Sequence, residues 1–449
     1  MFPISLEIIA QVVHGKLIGT DIQVRDVVID TRKITSNCMF IALKGKRFDA
    51  HDFAVDAIQK GANTLLVSKY LPISVPQILV ADTRIALCLL ASWSRQQVSA
   101  RIIALTGSSG KTLVKEITAS ILQYCGNVLH TTGNFNNNIG VSLTLLLLKP
   151  EHKFAVLELG ANHIGEISYT SNLVKPESVL INNIAAAHLE GFGSLAGVAK
   201  AKGEIFDGLA LNGTAIINAD SNDWSNWKEK IAAQRVWRFS LNEGKEVDFF
   251  ATGVRVTQEV TEFKLHTPFG TISVALLLPG YHNIANVLAA SALAISVGAT
   301  LENIQKGLNE LKAIPGRLFP ISLNKQQLIL DDTYNANVGS MIAAAHVLSS
   351  KPGYRVMVVG YMEELGTEEA EYHRQVGIAF REVGVNKVLS VGGLSYIISE
   401  ASGCGEHFTD KKSLVQRLKN ILSEHSTITV LVKGSRGSAM EQVVHALSV

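Results

Sequence analysis

The sequence has 449 residues, of which 47% are hydrophobic and 18% charged, a balance that suits packed globular domains, about three at this length, and excludes a disordered chain. Its 41 basic and 39 acidic residues leave a formal net charge of +2 with no block of like charge, so neither nucleic acid nor a membrane surface is an expected partner. Cys38, Cys88, Cys125 and Cys404 lie far apart without a C-x-x-C pair, which predicts reduced thiols in a cytoplasmic protein.

The opening "MFPISLEIIAQVVHG" carries Glu7 ahead of a short apolar run and has no basic leader; it predicts a first helix, not a signal peptide. Within a first unit, 1–82, "CMFIAL" and "NTLLVSK" predict strands around the helical "FAVDAIQKGA". A second unit, 83–313, has its first strand in "RIIALTG". In the following "KTLVKEITASILQYCG", Leu113, Ile117 and Ile121 recur every four positions, which predicts a helix stopped at Gly126. The run "VSLTLLLLKP", 141–150, is too short to span a bilayer, so no membrane insertion is expected. Strands are predicted at 154–160, 178–184 and 214–220, separated by helical stretches. That alternation predicts a mainly parallel sheet covered on both faces. Residues 247–278 read instead as an antiparallel hairpin turning at "TPFG". Pro and Gly in "AIPGRLFP", 313–320, mark a break. Beyond it, in a third unit, 314–449, "QLILDDTYN", "YRVMVVG", "NKVLSVGG" and "TITVLVKG" predict a second open, Rossmann-like α/β sheet. The fold class is therefore α/β in three units.

The stretch "TGSSGKT" lies between a predicted buried strand and a helix. Gly107, Ser108, Ser109 and Gly110 let the backbone approach an anion, Lys111 reaches β/γ-phosphates and the Thr112 hydroxyl suits Mg²⁺. The first glycine of the usual phosphate-loop pattern is missing, because position 105 is Leu105, which reads as the last part of the strand. Glu158 stands at the carboxyl end of a strand, the edge where open α/β sheets bind ligands; it is either a Mg²⁺-positioning carboxylate or a plain polar strand end. His188, Lys200 and Lys202 have no claim beyond loop and surface residues on this reading. "NNNIG", with Asn137 and Asn138, is either ligand-binding or a turn. His282, Asn283 and Asn286 open an apolar helix, where adenine contact and capping compete. Arg317 stands at the break, placed to close over phosphates or to remain a surface charge. Asp332, Tyr334, Asn335 and Asn337 follow a strand end, and Lys433 and Arg436 repeat that placement as a second anion site.

Taken together and in order, these stretches resemble the Mur ligase family. "DTRK" and "FIALKGKRFDAHDF" resemble its uridine-nucleotide domain. "TGSSGKT", "GNFNNNIG", "LELGANHIGEI", "NNIAAAHLEGFGSLAGVAKAKGEIF" and "NAD" resemble its ATPase domain. "HNIANVLAA", "PGRL", "DDTYNAN", "MEELG" and "LVKGSR" complete the set. The resemblance covers essentially the whole chain, and "DDTYNAN" with "AKAKGEIF" points to the member that adds a dipeptide. The family's loop runs T-G-S-x-G-K-T, which agrees with Leu105.

The resemblance implies ATP and Mg²⁺ as cofactors, UDP-N-acetylmuramoyl tripeptide and D-alanyl-D-alanine as substrates, and a monomer. It implies that ATP phosphorylates the terminal carboxylate and that the dipeptide amine attacks the acyl phosphate through a tetrahedral intermediate. Lys111, Glu158, His188 and Lys202 would be catalytic. Thr112, Glu158, His188 and Lys202, the last as a carbamate, would serve Mg²⁺. Asn283, Asn286 and Asp332 would hold adenosine, and Arg317 would reach the phosphates. Thr31 and Arg32 would contact the uridine nucleotide, with Asn137 and Asn138 on the substrate loop. Tyr334, Asn335, Lys433 and Arg436 are also expected on the substrate side. Leu113, Ser142 and Tyr361 depart from the family pattern; Tyr361 replaces an acid. The rival readings are another ligase of the family, a folyl polyglutamate synthase, which lacks the "DTR" domain, and a nucleotide-switched binding protein.

Overall fold

The computed structural model describes residues 2–45, 48–221, 224–244, 246–257, 260–278 and 280–447. Lys46 and Arg47, within the quoted "FIALKGKRFDAHDF", and Met1 of the opening stretch lie outside the described residues.

The N-terminal sheet has five strands in the order Lys16–Ile18, Gln77–Leu79, Ala62–Val67, Cys38–Ile41, Asp26–Val28. All neighbours are parallel except the Lys16–Ile18 pair. The expected first helix is Leu6–Val12, capped by the Ser5 hydroxyl.

The central sheet runs Arg235–Phe239, Thr214–Asn218, Ser178–Ile181, Arg101–Thr106, Phe154–Glu158, Val128–His130, and every neighbouring pair is parallel. Arg101–Thr106 is flanked by strands reached in opposite directions along the sheet. That makes its carboxyl end a switch point, where the fold leaves a crevice. Its residues are buried on both faces, so the run is apolar without alternation. Three strands end earlier than the sequence suggests, at Glu158, Ile181 and Asn218. Beyond Ile181 the backbone still bonds the central strand through the Asn182 N–H and the Thr106 carbonyl, while the Asn182 and Asn183 side chains bond the glycine loop. The predicted hairpin, Thr261–Thr267 with Gly270–Leu276, gains a third antiparallel strand, Phe250–Val256.

The C-terminal sheet has six strands: Phe319–Ser322, Gln327–Asp332, Ile428–Lys433, Tyr354–Gly360, Lys387–Val391, Gly405–Phe408. The sequence pattern finds the four inner ones. The two edges are missed because they are half exposed and carry Pro320 or polar residues; a proline is tolerated where no ladder partner is needed.

Two joints differ in kind. Helix Thr83–Gln96 packs on Leu6–Val12 and on Asn138–Leu146, and a single apolar cluster runs from Ile4 through Leu87 and Leu145 to Ile231. The C-terminal sheet has its own clusters on its two faces. It meets the centre mostly through polar contacts, described next.

Candidate active site

Leu105 is fully buried in the strand and its side chain joins the core, so the cradle begins at Gly107. Gly110 has φ +75°, and a Cβ there would lie 2.5 Å from Asn286 Oδ1 and 2.6 Å from Asn182 Nδ2; only glycine fits. The residues just past Ile181 pin the loop. Ser108 N–H donates to the Asn183 carbonyl (3.0 Å), and Ser109 N–H to Asn183 Oδ1 (2.8 Å). Asn182 Nδ2 donates to the Ser109 carbonyl and to Asn286 Oδ1, both at 3.0 Å. Asn286 in turn donates to Asn283 Oδ1 at 3.2 Å. Capping does not explain Asn283 or Asn286, because Gly280 holds the N-cap position of helix Tyr281–Ser296.

Helix Lys111–Leu122 starts at the loop, its free N–H groups facing the crevice. Lys111 Nζ donates to the Gly107 carbonyl at 2.7 Å, and burial pushes its pKa down against the pull of Glu158. The Thr112 hydroxyl donates to Glu158 Oε2 at 3.0 Å, and Asn136 Nδ2 donates to Glu158 Oε1 at 2.9 Å. Lys202 is 1% exposed, and its Nζ has no hydrogen-bond partner among the described residues; it lies over the Phe192 ring at 5.5 Å. Burial, then repulsion from Lys111, brings its pKa down to about 7. The sequence alone gave this lysine no distinction; its burial does. His188 has left-handed backbone (φ 54°), and its Nδ1 pairs with Glu364 of the C-terminal unit. That contact holds the Glu364 carboxyl below its usual range.

The C-terminal unit closes over this edge. An Arg317 guanidinium nitrogen donates to the Thr112 hydroxyl at 2.8 Å, and the guanidinium stacks 4.2 Å from the Tyr334 ring centre. Asn337 Nδ2 donates to the Ser108 carbonyl at 3.3 Å. Lys433 Nζ donates to Asp332 Oδ2 (2.7 Å) and the Asn335 carbonyl (2.9 Å). Arg436 is more exposed, 3.5 Å from Glu441. These groups, with the loop, Glu158, His188, Asn283 and Asn286, line a cavity of about 610 Å³.

A second cavity of about 730 Å³ is lined by Asn137, Asn138, Arg84 and Glu166, and it shares Asn134 and Asn136 with the first. Asn137 also caps helix Asn138–Leu146 through the Gly140 N–H (2.9 Å), so "NNNIG" opens a helix where a turn was the alternative to ligand binding. Thr31 and Arg32 line neither cavity; Arg32 pairs with Asp30 at 2.7 Å and is 85% exposed. Their turn is nevertheless beside the loop, with Lys33 Nζ 5.6 Å from the Phe135 ring centre. Sequence reasoning missed Asn136, Asn182, Asn183 and Glu364 as individual site residues. The available signal was an amide pair directly after a buried strand.

Among the described residues, no group of three or more His, Cys, Asp or Glu side chains is placed to hold a metal. The Thr112 hydroxyl and Glu158 carboxylate are the hard oxygen donors that fit Mg²⁺, an ion that keeps waters and phosphate oxygens and needs few protein ligands. An ammonium at Lys202 does not fit beside a cation.

Comparison with known proteins agrees across the chain. Residues 23–86 match the model "Mur ligase family, catalytic domain", 105–294 the Mur ligase middle domain, and 316–436 the "Mur ligase, glutamate ligase domain". The UDP-N-acetylmuramoyl-tripeptide–D-alanyl-D-alanine ligase of Escherichia coli strain K12 is 60% identical over 447 residues, covering 100% of this chain and 99% of that one. A crystal structure of MurF from Acinetobacter baumannii superposes with a TM-score of 0.94 at 36% identity, covering 99% of both chains. The MurF ligase of Thermotoga maritima, solved in complex with ADP, gives 0.84 at 27% identity, covering 94% of this chain and 97% of that one.

Proposed function

The chain belongs to the Mur ligase family, and from that premise we propose that it joins D-alanyl-D-alanine to UDP-N-acetylmuramoyl tripeptide at the expense of ATP. The products are the UDP-linked pentapeptide precursor of peptidoglycan, ADP and phosphate. The observation that carries this reading is the Thr112 hydroxyl, which donates to Glu158 and accepts from Arg317. Nucleotide loop, sheet edge and C-terminal unit meet at one atom.

The tripeptide carboxylate takes the γ-phosphoryl group of ATP, and the dipeptide amine attacks the acyl carbon. The tetrahedral intermediate expels phosphate as the carbon–nitrogen bond is kept. Lys111 and the loop N–H groups stabilise charge on the transferring phosphoryl. Arg317 adds a second cation from the far side of the joint. Asn283, Asn286 and Asp332 hold adenosine. Tyr334, Asn335, Lys433 and Arg436 face the dipeptide side; Thr31, Arg32, Asn137 and Asn138 serve the UDP-peptide. Thr112 and Glu158 would hold one Mg²⁺, with Glu158, His188 and Lys202 serving a second, and the bound metal would supply the charge that lets triphosphate and carboxylate approach. Lys202 serves there as its carbamate. A pKa near 7 leaves much of the amine neutral, and neutral amine is the form that adds carbon dioxide. Docking of the C-terminal unit keeps water from the acyl phosphate.

The three units are assigned to 1–82, 83–313 and 314–449, with 313–320 as hinge. No helix among the described residues is long and apolar enough to cross a membrane. The proposal places the enzyme in the cytoplasm as a monomer.

The test supplies ATP and Mg²⁺ and measures phosphate release with each substrate present or omitted. Release is expected only with both, together with a pentapeptide product by mass. Release that ignores either substrate overturns the assignment and favours a nucleotide switch.

A further inference from the structure

Lys115 is 0% exposed, one turn along the helix from Lys111 and Thr112. A buried ammonium is costly unless its hydrogens are used. Its Nζ donates to the Thr131 carbonyl at 2.5 Å and lies 2.9 Å from Glu116 Oε1. Nothing in the reaction above uses this charge.

Thr131 is itself fully buried and sits at the root of the loop that carries Asn134 and Asn136. Its hydroxyl accepts from the Glu158 N–H at 3.0 Å, and its N–H donates to the Val156 carbonyl at 3.1 Å. Further along, Asn136 bonds the Glu158 carboxylate, and its carbonyl accepts from the Gly160 N–H at 2.8 Å. The nucleotide-loop helix therefore grips this loop at two points, once through Glu158 and once directly. Thr112 reaches Asn136 by way of the Glu158 carboxylate, and Lys115 reaches Thr131, which holds the Glu158 backbone. The gripped loop forms the wall shared by the two cavities.

We propose that Lys115 is a positioning residue that fixes the root of the 132–137 loop, so that the larger cavity keeps the shape needed for the UDP-peptide. The inference rests on the function proposed above only for the identity of that substrate. A purely stabilising lysine would lower the melting temperature without touching one substrate more than the other. A positioning lysine splits the constants.

The experiment compares Lys115→Met with the wild-type chain in steady-state kinetics. The KM for UDP-N-acetylmuramoyl tripeptide is expected to rise at least ~10-fold while the KM for ATP stays within about twofold. Equal changes in both, or no change in either, overturn the proposal. If Lys115→Met does not fold, the Lys115→Gln and Lys115→Arg pair decides. Glutamine keeps a neutral donor for the Thr131 carbonyl and should hold both KM values within about twofold of wild type, whereas the bulkier arginine should displace the loop and raise the KM for the UDP-peptide alone. A pair that behaves alike overturns the idea. Hydrogen exchange on the ligand-free chain separates this question from the substrate assignment. Amides 132–137 should exchange at least ~10-fold faster in Lys115→Met while those of 107–112 do not; unchanged protection refutes the strut even if the reaction is as proposed.

Discussion

Arg317 reaches across 205 positions of sequence to donate a 2.8 Å hydrogen bond to the Thr112 hydroxyl. The bond joins the residue after the loop lysine to a segment at the edge of the C-terminal sheet. Its planar fork also stacks on Tyr334, so charge and shape both matter. Arg317→Ala is expected to lower kcat by about 10²-fold, the usual loss for one aimed donor. Arg317→Lys should recover little, because an ammonium cannot both stack and bond. Steady-state kinetics of the two variants checks this.

Gly110 is the second test. The left-handed backbone costs a non-glycine residue about 1–2 kcal/mol, and the added methyl meets two buried amides. Gly110→Ala should therefore lose ~2 kcal/mol or more by denaturant unfolding and weaken ADP binding at least ~10-fold by calorimetry. Normal ADP affinity would mean the loop is not the nucleotide site.

Lys202 tests the carbamate. Lys202→Ala removes a buried, unpartnered nitrogen and, on the proposed role at Mg²⁺, should cost activity about 10²-fold or more. Short carboxylates such as acetate should restore part of the rate. Full activity in the variant, or no response to any carboxylate, counts against the modification.

His282 gives a pH signature. Burial, the largest cause, holds its pKa to about 4 against an ordinary 6.5; Lys433 adds to the fall and Asp332 opposes it. The folded value lies below the unfolded one, so the unfolded chain binds the extra proton first. The stability from the neutral ring is complete above pH 6.5 and is lost as pH falls towards 4. His282→Gln should lose about 1–2 kcal/mol less than the wild-type chain between pH 7 and pH 4.5 in urea unfolding.

How much of this was legible depended on whether a residue's role is local. The central strand–loop–helix was readable because apolar runs, glycines and a helical period fall next to one another in sequence. Leu105 was correctly placed in the strand for the same reason. Asn182, Asn183 and Glu364 were not readable, since their partners lie far away in the chain and amides after a strand also suit turns. Lys202 looked like a solvated helix lysine, and only tertiary burial separates it from Lys200. The edge strands of the C-terminal sheet escaped because half-exposed strands carry mixed residues. The family resemblance supplied the roles that residue chemistry left open.

The apolar seam running from Ile4 to Ile231 sets how strongly each joint is held. Parting that seam would wet a continuous stretch of hydrocarbon, so the N-terminal and central sheets resist separation. The other joint is held by bonds such as Arg317 to Thr112, Asn337 to Ser108 and Glu364 to His188, each of which water can replace at small net cost. Any separation of the C-terminal sheet from the central one therefore breaks direct contacts to the phosphate loop, those of Arg317 to Thr112 and of Asn337 to Ser108.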